Sequence, residues 1–208
     1  ALKDGKDILC ITVSSGLSGS YDTIYMTAIY LKGMYPDRNI EVIDSLSASL
    51  ASGFLCMDAL DMKKKGKSLQ ETSEEIRKRV HRIDLYFVVD NFKYLVQGGR
   101  VSEAVGKIGD ILDIKLILTM KNGRIEPYRK NRGMNHALRN IRNIAQSKET
   151  SRLGAIYVGN TDMFNKCKSL VSIDCEADLN LIVSSHVGPD TTGIAIEWKA
   201  YGRAEEKS

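Results

Sequence analysis

Apolar residues in this chain fall into short runs separated by amphipathic stretches, and the alternation predicts an α/β protein. Ile8 to Val13 reads as a buried strand, and Tyr21 to Leu31 as the helix after it. Ile40 to Asp44 is a second strand, with Asp44-Ser45 as the expected N-cap of a helix from Leu46 to Lys65. That helix is rich in small residues and ends in Lys63-Lys64-Lys65-Gly66, cations and a glycine at its negative end. Ser68 to Arg82 reads as a third helix, opened by a Ser68…Glu71 capping box. Leu85 to Asp90 is the third strand. Asp44 and Asp90, both at strand ends, are expected to cap the helices after them.

After Gly98-Gly99 the pattern changes. Ser102 is expected to cap a helix running to Leu112. Ile114 to Met120 and Ile125 to Lys130 flank Asn122-Gly123, a strong hairpin signal because both central residues must take positive φ. A helix from Gly133 to Ser147 carries Met134, Leu138, Ile141 and Ile144 on one face. Gly154 to Val158 reads as a strand, with a helix through Val171 behind it. Leu179 to Val183 reads as a further strand, Ser184 to Gly193 as a polar loop and Ile194 to Trp198 as the last strand. The tail from Gly202 reads as disordered. The expected organisation is two α/β domains, the first with a parallel sheet. They divide near residues 82 to 85: residues 1–83 as the C-terminal part of a first domain, and residues 84–208 as a second with a β-hairpin. Ala1 to Lys6 lead directly into a buried strand, so the chain reads as beginning partway through that first domain.

Composition narrows the chemistry. A charge of +4 is too mild to argue for nucleic acid. Lys and Arg are concentrated in residues 91–142, eleven against four Asp and Glu, which suits either a docking face or a solvated one. Interleaved aromatics there are few, only Phe92, Tyr94 and Tyr128, so a nucleic-acid platform is not expected. Cys10, Cys56, Cys167 and Cys175 form no Cys-x-x-Cys pair and read as reduced thiols of a cytoplasmic protein. His81, His136 and His186 are too scattered to suggest a metal site. No segment is long and apolar enough to span a bilayer.

Three polar loops remain: Ser14-Ser15-Gly16-Leu17-Ser18-Gly19, Gly98-Gly99-Arg100-Val101-Ser102 and His186-Val187-Gly188-Pro189. The first joins a strand to a helix, where backbone N–H groups and partial positive charge suit an anionic head group; equally, Ser18 or Ser20 could simply cap the helix. It is neither a P-loop nor a dinucleotide fingerprint. With Val42 to Ser49 and Val88 to Leu95 between them, the loops in this order resemble the DegV family of bacterial fatty-acid-binding proteins. The resemblance implies two α/β domains with a lipid tunnel between them and one long-chain fatty acid as ligand, with no cofactor. It implies that Ser14, Ser15 and His186 hold the carboxylate, and that a separate fatty acid kinase uses ATP to convert the presented acid to acyl phosphate. Arg100 matches an arginine with a role in that phosphate transfer. A Thr-Ser-x-Pro-Ser-type motif of the family has no counterpart here, and Asp190 stands where relatives more often carry glycine. Asp190 is expected to face solvent, since a carboxylate beside an anionic head group would repel it.

An acyl tail of roughly sixteen carbons, at about 0.8 kcal/mol per buried CH2, would carry most of the affinity. Leu46, Leu50, Phe54, Leu55, Met57 and Leu60 could form its wall or serve as ordinary core. The competing expectation is a stand-alone hydrolase or phosphotransfer enzyme. No Gly-x-Ser-x-Gly elbow or P-loop supports it. Contact with a membrane surface is expected to be at most transient.

Overall fold

The structure is a computed structural model that describes residues 1–109, 113–159 and 161–199. The end of the helix expected through Leu112 and the tail from Gly202 lie outside the described residues.

Strands β1 (Ile8–Thr12) and β2 (Ile40–Asp44) pair in parallel, Ile8 opposite Ile40 and Thr12 opposite Asp44. Helix α1 (Ser20–Met34) makes the crossover between them. Helices α2 (Ser49–Lys64) and α3 (Leu69–Arg79) come next, then a 3-10 turn at Val80–Arg82. The expected capping box is present: the Ser68 hydroxyl accepts the Glu71 N–H, and the Glu71 carboxylate accepts the Ser68 N–H at 2.8 Å.

The rest builds one mixed six-stranded sheet from β3 (Ile83–Val88), β4 (Ile114–Lys121), β5 (Arg124–Arg132), β6 (Thr150–Tyr157), β7 (Cys175–Asp178) and β8 (Thr192–Trp198), in the order β5-β4-β3-β8-β6-β7. Only β6 and β7 run parallel. Short helices α4 (Lys93–Gln97) and α5 (Glu103–Gly109) lie between β3 and β4. Helices α6 (Met134–Ala145), α7 (Thr161–Leu170) and α8 (Leu181–Val187) complete the chain. The hairpin turn forms as expected, with Asn122 and Gly123 at φ 50° and 78°. Pro127 sits on edge strand β5 beside a register shift, where its missing N–H does least harm.

Every residue of β3 and of β8 is buried, because helices cover both faces of the larger sheet. On one face Tyr86, Ile117, Ile194 and Trp198 pack with Leu138 and Ile141 of α6. On the other, Phe54 and Leu55 of α2 join Ile43 of β2 to Leu85, Phe87 and Ile156 in one cluster. The two sheets therefore share a core, with α2 between them.

Three expectations are corrected. Leu179 to Val183 is not a strand. Leu179 is buried, the Asn180 side chain accepts the Val183 N–H at 3.0 Å as an N-cap, and α8 begins there. Leu181 and Ile182 are 85% and 75% exposed, so the apolar run imitated a buried strand while its cap marked a helix. His186 accordingly lies in the last turn of α8 rather than in an open loop. Second, α2 starts at Ser49, with Ala48 as its N-cap. Asp44 instead accepts the Leu46 N–H at 2.9 Å and the Ser15 N–H at 3.2 Å, joining the ends of β1 and β2. Third, Asp90 pairs with Lys115 at 2.7 Å, and Asn91 caps the turn by accepting the Lys93 N–H.

Candidate functional site

The loops that leave β1 and β2 face the larger sheet across a cavity of about 340 Å3, within the roughly 300–1,000 Å3 usual for small-ligand sites. Leu85, Phe87, Met120, Ile125 and Ile156 give it apolar walls from four strands, and α8 contributes Ile182, Val183 and His186. Two helix N-termini open onto it. Ser18 and Ser20 line it at the start of α1, and Ala48 and Ser49 at the start of α2. Neither helix has a side-chain capping hydrogen bond at its N-cap residue. The Ser18 hydroxyl nonetheless accepts the Ser20 N–H at 3.2 Å and pairs with the Ser20 hydroxyl at 2.8 Å, so the first N–H of α1 is spent locally while two positive helix ends point to one place.

Arg100 and His186 also line this cavity. The Arg100 Nε donates to the Leu17 carbonyl at 3.2 Å and its Nη1 donates to the Gly98 carbonyl. Its remaining N–H groups have no partner among the described residues. The guanidinium therefore bridges the first polar loop to the second and keeps donors in reserve. His186 is half-buried, and its ring forms no hydrogen bond among the described residues. Thr191 and Asn180 line the same cavity but are committed locally, Thr191 to the Val187 carbonyl at 3.0 Å and Asn180 to its cap. Asp190 is not among the lining residues.

His186, expected to hold the head group, and Arg100, expected to act in phosphate transfer, come together here. Ser14 and Ser15 lie beside the cavity and do not line it. Ser14 is fully buried; its hydroxyl donates to the Gly123 carbonyl at 2.6 Å and accepts the Gly16 N–H at 3.2 Å. Ser15 is exposed, held through its backbone by Asp44. The tip of the hairpin thus docks on the Ser14–Gly16 turn. A Cβ on Gly16 would stand 2.4 Å from the Gly123 oxygen, so only glycine fits that approach. Gly16→Ala is expected to destabilise the protein by about 1–3 kcal/mol, because the clash is with backbone that must move. Urea unfolding measures this; an unchanged midpoint would show that the turn and the hairpin do not touch.

The cavity-lining hydroxyls not singled out from the sequence are Ser20 and Ser49, with Ser18. The available signal was position: Ser20 and Ser49 are each the first residue of a helix that comes after a strand end. The expected apolar wall is also redistributed. Phe54 and Leu55 are core, Met57 and Leu60 are exposed, and Leu46 and Leu50 pack against the shared core. The cysteine thiols are poorly suited to nucleophilic chemistry. Burial raises all four, Cys167 to about 11 against a partial lowering by Thr192, so they stay protonated at neutral pH.

A small parallel sheet and a larger mixed sheet, enclosing an apolar cavity at which two helix N-termini, a guanidinium and an imidazole converge, define a class of two-sheet α/β protein. The chain belongs to the DegV family: the family model described as "Uncharacterised protein, DegV family" matches residues 1–199. A DegV domain-containing protein of Clostridium acetobutylicum is 30% identical over 202 residues, covering 92% of this chain and 70% of the relative. The fold is that of a DegV family protein from Eubacterium eligens loaded with heptadecanoic acid, at TM-score 0.84 and 21% identity over 95% of this chain and 76% of the other. A Thermotoga maritima protein described as revealing fatty acid binding function is 28% identical at TM-score 0.74, over 94% of this chain and 71% of its own. A second from Thermotoga maritima, described as a DegV lipid binding protein, is 28% identical at TM-score 0.75, over 96% and 72%. Among the described residues no helix is long and apolar enough to cross a membrane.

Proposed function

We propose that this protein binds one long-chain fatty acid in the cavity between its two sheets. The observation that carries the reading is the convergence of two helix N-termini, Arg100 and His186 on a single apolar chamber. A carboxylate leaving water needs several donors or its burial costs several kilocalories per mole. The Ser49 N–H, the nearby hydroxyls, the unspent Arg100 donors and a donor tautomer of His186 can supply them. The tail then lies along Leu85, Phe87, Met120, Ile125 and Ile156. About fourteen buried methylenes contribute on the order of 10 kcal/mol before the cost of ordering the chain. The two Thermotoga maritima relatives described as lipid- or fatty-acid-binding support this ligand class. Ser14 enters the reading through the hairpin contact it makes, and Ser15 through the backbone link to Asp44 that fixes the same turn.

The finer part of the proposal is that the bound acid is handed to a fatty acid kinase, which forms acyl phosphate from ATP. Arg100 would stand beside the incoming phosphoryl group. The exposed cations of β5, Arg124, Arg129, Lys130 and Arg132, offer a face for an acidic partner.

Protein purified without added lipid, denatured and extracted, is expected to release fatty acid at close to one equivalent by mass spectrometry. His186→Ala is expected to weaken binding about tenfold or more, the worth of one hydrogen bond to a charged group. An empty extract together with no measurable binding of added palmitate would end the reading. Hydrolysis of an ester or ATP by the purified protein alone would favour an enzyme instead.

A further inference from the structure

The two glycines of Gly98-Gly99-Arg100 answer to different physics. Gly99 has φ 68°, and a Cβ there would meet nothing within 4 Å. It is glycine because the chain turns left-handed after α4. Gly98 has φ −73° and ψ −10°, ordinary right-handed backbone that any residue adopts and where alanine is usually preferred. Its constraint is space. A Cβ on Gly98 would lie 2.6 Å from Nδ1 of His186 and 3.4 Å from the ring Cε1. The imidazole occupies the place of the missing side chain.

The packing is reciprocal. Gly188, two residues after His186, has φ 81°, and a Cβ there would in addition lie 2.4 Å from the ring of Tyr94 on α4. Each short helix thus places one ring over the other's glycine, His186 over Gly98 and Tyr94 over Gly188. The Gly98 carbonyl also accepts the Nη1 of Arg100, whose Nε holds the Leu17 carbonyl. One peptide therefore touches both basic side chains of the cavity and, through Arg100, the first polar loop.

We propose that Gly98 is the positioning residue for His186: by having no side chain it seats the imidazole against the end of α4 and fixes where the ring presents its donor to the cavity. This rests on the fatty-acid reading for its functional consequence, though not for its structural content. Alanine at 98 would keep the backbone and push the ring off its seat.

The test is a double-mutant cycle of Gly98→Ala and His186→Ala in the full chain, read by palmitate binding, with Gly99→Asn as the control for a left-handed position. Gly98→Ala is expected to weaken binding about tenfold in the presence of His186 and by less than about twofold in its absence, the non-additivity of residues that act through one another. A loss of similar size in both backgrounds would overturn the assignment. The independent arm uses ligand-free protein. The 1H–13C resonance of the His186 ring Cε1 is expected to shift in Gly98→Ala and hold its place in Gly99→Asn, with both variants folded by circular dichroism. An unmoved resonance in Gly98→Ala overturns the proposal even if binding falls. If wild-type protein fails to bind palmitate but the resonance moves, the fatty-acid reading fails and the positioning stands. Should Gly98→Ala not fold, the double variant Gly98→Ala/His186→Ala carries the test by circular dichroism: removing the ring is expected to restore folding, and a double variant that still does not fold overturns the proposal.

Discussion

Glu197→Ala is expected to lower stability by about 3–5 kcal/mol, the usual cost of removing one partner from a buried ion pair. Glu197 is only 5% exposed and lies on central strand β8. Its carboxylate accepts from Arg152 of β6 at 2.8 Å and lies 3.6 Å from Arg79 at the end of α3. Asp58 of α2 completes the set, 2.9 Å from Arg79 and 2.8 Å from Arg152. The Arg152 guanidinium stacks on the Phe54 ring at 4.3 Å, and its buried Nε already lacks a partner. Truncating Glu197 removes one of the two carboxylates shared by the Arg79 and Arg152 guanidiniums at the seam between α2, α3 and the larger sheet, and leaves Asp58 alone to compensate Arg152. For a chain of this size the thermal midpoint should fall by roughly 6–20 °C. The comparison is Arg132→Ala. Its pair with Asp113 is highly exposed at 3.4 Å and should be worth less than about 1 kcal/mol. Equal shifts for the two variants would show that the seam network contributes no more than a surface pair.

Arg100→Met should weaken fatty-acid binding by about 100-fold while leaving the fold in place. Methionine keeps much of the apolar stem and removes the charge, so the loss isolates what the guanidinium does. Two effects combine. The carboxylate loses a charge-assisted donor, worth about 1.5–3 kcal/mol. The Leu17 and Gly98 carbonyls lose the bridge that joins the first polar loop to α4. Calorimetric titration with palmitate gives the first number. Hydrogen exchange at Leu17 and Ser18, expected to rise, reports the second. Binding within threefold of wild type would remove Arg100 from the head-group site.

Much of this architecture was legible in the residues. The apolar runs located most of the strands, Asn122-Gly123 fixed the hairpin through its required backbone angles, and Ser68…Glu71 marked a helix start. These are local signals, decided within a few residues, so they survive without tertiary information. The order of the polar loops pointed to the family. Where the reading failed, the deciding contact was distant. Leu181 and Ile182 looked like core because apolar residues usually are, and nothing local says that they remain uncovered. Ser14 was expected to be a ligand donor on the family resemblance; its hydroxyl is spent on a carbonyl 109 residues away.

The sequence alone determined the alternation of strands and helices, the turn chemistry and the kinds of donor available, because each depends on backbone preferences and on side chains within one or two turns. Only the tertiary structure decided which donors meet. Strand pairing and the packing of α2 bring residues from both ends of the chain within a few ångströms, and no short-range preference encodes that distance. It is why His186, Arg100 and the serines that open α1 and α2 share one cavity while Ser14 and Ser15 stand just outside it.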